Sequence, residues 1–106
     1  SKSMMSKYGY VSDFNYAIYQ KSVIGRIYAI LPMKEENVPT VKEYIEALNR
    51  ELVEHIEVFN KSERILAVVC ILNGIKYEQN HSIYRKEVLR CCKIISEIGG
   101  EENVGL

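Results

Sequence analysis

Residues Tyr16 to Leu31, YAIYQKSVIGRIYAIL, carry more apolar surface than one face of a helix can hold. At helical spacing Phe14, Ile18, Ile24, Tyr28 and Leu31 form one stripe, and Tyr16, Val23, Ile27 and Ile30 form another. Asn15, Ser22 and Arg26 leave only a narrow polar seam between them. A band this wide predicts two contacts, one with an internal core and one with something further. The run Ile65–Leu72, ILAVVCIL, has the same character. Tyr16, Tyr19, Val23, Ile27 and Ile30 are therefore the candidate partner-binding residues.

Four segments read as helices. The first starts at Ser12 or Asp13, both good N-caps, and runs to Leu31, where Pro32 is expected to stop it. Thr40-Val41-Lys42-Glu43 has the form of a capping box and opens the second. Its apolar positions Val41, Ile45, Leu48, Leu52, Ile56 and Phe59 carry it to about Asn60, with Glu46 and Arg50 one turn apart on the other face. The third follows Ser62 and runs to about Glu78, weakened in its last turn by Gly74. The fourth follows Ser82 on the stripe Tyr84, Val88, Cys91, Ile95 and Ile98, with Gly99-Gly100 as an expected stop. Short connections favour antiparallel neighbours. The expected fold is all-α, an antiparallel four-helix bundle forming one domain over residues 1–106, with frayed ends at 1–10 and 101–106. The alternative turns Tyr16–Leu31 into two strands about Lys21-Ser22, giving a β-hairpin plus three helices.

The chain has 106 residues with 14 basic and 14 acidic side chains, so it has no net charge to draw it to nucleic acid or anionic membrane. No apolar run reaches the ~20 residues of a membrane span. The start, SKSMMSKYGY, has no apolar signal-peptide region. Cysteines at 70, 91 and 92 make an odd count with an adjacent pair, which favours reduced thiols and a cytoplasmic setting over a disulfide framework. Cys70 and one of the Cys91–Cys92 pair are expected in the core, with the other half-exposed, because neighbouring helical residues point about 100° apart. Three Cys and two His lack zinc-ligand spacing, so no metal and no cofactor are expected. His55 is expected to pair with Glu51 one turn earlier, and His81 to lie in a loop beside a helix start. No nucleophile has a neighbouring base, which argues against an enzyme.

The segment ERILAVVCILNGIKYE, residues 63–78, resembles the LAVxxxLN stretch of the ZapA family of cell-division proteins at Leu66, Ala67, Val68, Leu72 and Asn73. With the preceding helix and turn, the similarity covers about a third of the chain. It implies a small dimer that bundles a tubulin-like filament, with a short hairpin at the start and a long coiled coil at the end. The chain departs from that pattern where its last helix restarts at Ser82 and stops at Gly99.

These readings converge on a small non-enzymatic interaction module: an adaptor, inhibitor or regulatory subunit. It is expected to form a homodimer or dock a protein partner through surplus apolar surface on the first and third helices. The alternative is a nucleic-acid-binding regulator. Lys86, Arg90 and Lys93 would then make the contacts, spaced four and three residues apart on one face of the fourth helix.

Overall fold

In the computed structural model the backbone is described for residues 4–6, 9–11, 13–56 and 62–104, and the side chains for 17–56 and 63–98. The expected all-α bundle is present, preceded by a short hairpin. Strand β1 (Met4–Ser6) pairs antiparallel with β2 (Gly9–Val11) in the register Met4 with Val11. The helices are α1 (Asp13–Tyr28), α2 (Ile30–Glu35), α3 (Val41–Glu54), α4 (Ser62–Ile75) and α5 (His81–Val104). The hairpin lies ahead of the segment proposed as an alternative hairpin. Residues 16–28 are helical, because Val23, Ile27 and Ile30 at helical spacing all reach one core, which strand alternation would split between two faces.

Pro32 does not end the first helical stretch. It sits third in α2 and lacks the N–H that would bond the Tyr28 carbonyl, so that one bond is missing, while Ala29 between α1 and α2 keeps both of its own. The backbone at Ala29 stays right-handed helical, with Ala29 N–H on Gly25 O at 3.1 Å. Burial of Ile30 and Leu31 outweighs the missing bond. The stop comes at Asn37, whose φ of 55° is left-handed. Val38 N–H reaches Met33 O at 2.9 Å and Asn37 N–H reaches Lys34 O at 3.2 Å, a Schellman closure with asparagine in the glycine role.

Four further helix ends differ from expectation. Thr40 occupies the N-cap of α3, but its hydroxyl makes no capping bond, so the capping box does not close. The φ and ψ there, −94° and 13°, depart from the extended geometry in which a cap side chain meets the N2 or N3 donor. The second predicted helix ends at Glu54, short of Asn60, and Phe59 lies outside the described residues. The last helix is capped by Asn80, whose Oδ1 accepts from Ile83 N–H at 3.2 Å. His81 is therefore helical, and α5 continues through Gly99-Gly100 to Val104. Glycine permits the left-handed turn without imposing it.

The core joins Val23 and Ile27 of α1, Ile30 and Leu31 of α2, Ile45, Leu48 and Leu52 of α3, Ile65, Val68, Leu72 and Ile75 of α4, and Tyr84 to Ile98 of α5. Cross-helix contacts pair early with late residues. Gln20 Nε2 donates to Ile95 O at 2.6 Å, while Cys92 Sγ lies 3.8 Å from Ile24 O. Asn49 of α3 meets Asn73 of α4, and Glu46 of α3 meets Lys76 just past the end of α4. Helix α5 lies between α1 and α4, the position that decides the fate of its two thiols.

Candidate functional site

The residues proposed as partner-facing are mostly inside. Val23, Ile27 and Ile30 have no exposed surface, Tyr19 is half-buried against the core, and the Tyr16 side chain lies outside the described residues. Of the two stripes on Tyr16–Leu31, the one holding Val23, Ile27 and Ile30 is core. The other places Leu31 in the core and Ile24 against it, and leaves Ile18 54% and Tyr28 49% exposed. Sequence periodicity separates two stripes without saying which one neighbouring helices will cover.

An uncovered face also belongs to the third predicted helix, α4. Its sequence has no charged residue from Ile65 to Ile75, so it is apolar all round. Only Ile65, Val68, Leu72 and Ile75 are buried. Glu63, Leu66, Ala67, Cys70, Asn73 and Gly74 fall within about 60° of the Cys70 direction at ~100° per residue, and all are exposed. Tyr77, just past the helix end, continues the row at 65% exposure. On the adjoining α3, Val53 adds 48% of its surface to the same side as Asn49 and Arg50. Asn49 and Asn73 mark the seam, with Asn49 Nδ2 donating to Asn73 Oδ1 at 3.1 Å. Asn49 Oδ1 is buried without a donor among the described residues.

The polar face has other employment. Arg26 on α1 clamps Glu51 on α3 with both guanidinium arms, at 2.7 and 2.6 Å. The Arg26 bond holds the Glu51 carboxyl below its ordinary pKa, and that same bond raises Arg26. The His55 charge acts on Glu51 as the least of the influences on that carboxyl, while the His55 ring meets Tyr19. Its Nδ1 is 3.4 Å from the tyrosine hydroxyl, and the rings stand edge to face. Burial, with the Glu51 charge adding to it, pushes the Tyr19 hydroxyl up to about 12, so Tyr19 stays neutral. Tyr44 completes this clasp by donating to Arg26 O at 2.7 Å. Glu46, one turn from Arg50 on α3, binds Lys76 just past the end of α4 at 3.1 Å.

The cysteines exchange places with the expectation. Cys91 and Cys92 are both buried and Cys70 is exposed. Because α5 has a helix on each side, two thiols about 100° apart each find a neighbour. Cys91 Sγ is 4.0 Å from Val68 O on α4, and Cys92 faces Ile24 on α1. Burial raises Cys91 to about 12 and Cys92 to about 11, which keeps both as unreactive thiols. Among the described residues, no three His, Cys, Asp or Glu are grouped to hold a metal.

At the end of the bundle a cleft of about 670 Å³ lies between the 34–42 segment and residues 76–84. Its cations are already engaged. Lys34 donates to Glu78 O at 2.8 Å and sits over the Tyr84 ring, Lys42 sits over the Tyr77 ring, and His81 meets Glu35 at 3.1 Å. The basic row Lys86, Arg90 and Lys93 is fully on the outer face of α5, with Arg90 3.6 Å from Glu87.

No family model, curated protein or solved structure matches this chain. Of the residues that carry the similarity to the ZapA stretch, Val68 and Leu72 are core, whereas Leu66, Ala67 and Asn73 face outward. Among the described residues, no helix is long and apolar enough to cross a membrane.

Proposed function

We propose that this chain is a small, non-enzymatic, cytoplasmic interaction module of the adaptor, inhibitor or regulatory-subunit kind, and that it works through the outer face of α4. The observation that supports this is the absence of charge across the exposed row Leu66, Ala67, Cys70, Asn73 and Gly74, bordered by Val53 and Tyr77. An isolated apolar side chain on a surface needs no explanation, but a continuous row does, since exposed apolar area drives association. A second reading, nucleic-acid binding by Lys86, Arg90 and Lys93, draws on their shared exposure.

The two readings predict opposite responses. Tagged wild-type chain, Leu66→Glu, and the Lys86→Gln/Arg90→Gln/Lys93→Gln variant are compared in protein pull-down and in anisotropy titration against a labelled DNA duplex at two salt concentrations. The interaction reading expects protein capture lost in Leu66→Glu, kept in the triple variant, and barely altered by salt. Duplex binding that falls steeply with salt, flattens in the triple variant by a slope of roughly 0.9 per lost phosphate contact, and ignores Leu66→Glu would refute it.

A further inference from the structure

Building on the interaction reading, we propose that the occupant of the α4 face is a second copy of this chain, packed antiparallel about a two-fold axis that passes beside Cys70. A two-fold axis perpendicular to α4 at this level brings each residue opposite its mirror position along the helix. Leu66, four residues before Cys70, arrives over the residues that follow Cys70 on the other copy. There Cys70, Asn73 and Gly74 stand at i, i+3 and i+4 on α4, three sides of a socket, with Tyr77 in the turn just past the helix end. Gly74 leaves open space there, since a Cβ built on it meets nothing within 4 Å. The large residue on one side of the axis thus matches the missing side chain on the other, and the match occurs twice.

Charge follows the same symmetry. Glu63 lies at the amino end of the row, and Tyr77, with the Lys42 ammonium 4.5 Å from its ring centroid, lies at the other. The two-fold places Glu63 of each copy beside Lys42 of the other, giving two opposite-charge pairs at the rim of an uncharged centre. A parallel arrangement would set Glu63 against Glu63. Val53 lies on the α3 flank level with the axis, so the two copies of this exposed valine also meet. Small residues Ala67 and Gly74 permit a close approach. At an interaxial distance of roughly 8–10 Å, with Cα atoms about 2.3 Å from each axis, the two Cys70 Cα atoms come within about 3.4–5.4 Å. That separation overlaps the range a disulfide can bridge.

The test uses the whole chain. Sedimentation equilibrium under reducing conditions across about 1–100 μM is expected to give twice 12.3 kDa at the upper end. Diamide, which takes two electrons and two protons from a thiol pair, is expected to form a covalent dimer in wild type and none in Cys70→Ser, while Cys91 and Cys92 stay out of reach. Leu66→Glu is expected to weaken the dimer more than about tenfold. Gly74→Leu fills the socket and is expected to do the same while leaving the monomer folded, because its side chain enters open space. Far-UV circular dichroism and the denaturant midpoint verify folding in both variants. Three results would each overturn the proposal: a 12.3 kDa mass throughout, a dimer indifferent to both substitutions, or cross-linking that survives Cys70→Ser. If the chain is monomeric but its protein capture still depends on Leu66, the second copy fails and the interaction reading stands. If capture is also lost from wild type, both fail.

Discussion

Ile27→Ala measures directly whether the Val23–Ile27–Ile30 stripe is core or contact surface. Ile27 has no exposed surface and packs in the cluster formed by α1, α3, α4 and α5. The substitution removes three carbons, about 2.5 kcal/mol of transfer free energy at ~0.8 kcal/mol each. A void of up to about 80 Å³ adds as much as ~2 kcal/mol at ~24 cal/mol per Å³, less whatever the neighbours recover by relaxing. The expected loss is therefore about 3–4 kcal/mol, a large part of the ~5–15 kcal/mol that holds a domain folded. For a domain of this size the melting temperature should fall by about 15–25 °C. Ile18→Ala, at a side chain 54% exposed on the same helix, should cost under ~0.5 kcal/mol. Urea unfolding followed at 222 nm, with the slope shared between variants, gives both numbers. A loss below ~1 kcal/mol at Ile27, or a larger loss at Ile18 than at Ile27, would mean that α1 turns its other stripe inward. By the same reasoning Ile27→Glu should unfold the bundle and is unsuited to probing a partner surface.

The helix starts give a second contrast: Asn80→Ala should cost about 1 kcal/mol by removing the acceptor for Ile83 N–H, while Thr40→Ala should change the midpoint little, its hydroxyl having no cap bond to lose. The Arg26–Glu51 clasp makes stability depend on pH. Since the folded Glu51 pKa lies below its unfolded value, the contribution is complete above the ordinary carboxylate range and is lost as pH falls through the folded value, so Glu51→Gln should flatten the acid limb of the stability profile. Native protein should expose one thiol to an aromatic disulfide reagent at neutral pH, and denatured protein three. Two or more fast thiols in the native state would contradict the burial of Cys91 and Cys92.

The all-helical character and most of the helices' apolar faces were legible in the sequence, because a 3.6-residue period reports amphipathicity without reference to neighbours, but the division of the first helical stretch into α1 and α2 was not. The stripe Tyr84, Val88, Cys91, Ile95 and Ile98 is core as its spacing requires, and the apolar excess of Ile65–Leu72 is visible by eye. Local signals at helix ends fared worse. Pro32 and Gly99-Gly100 state a cost of about 1–3 kcal/mol against helix, and burial of Ile30, Leu31 and Ile98 beside them is of the same size. What only the tertiary structure decided is which of several apolar stripes is covered. Val23 and Ile27 go inside because α3, α4 and α5 close over that side of α1, and Cys91 and Cys92 are both buried because α5 has a helix on each flank. Cys70 stays outside because, among the described residues, no element covers that side of α4. Periodicity is a property of one helix, whereas burial is a property of the helices around it.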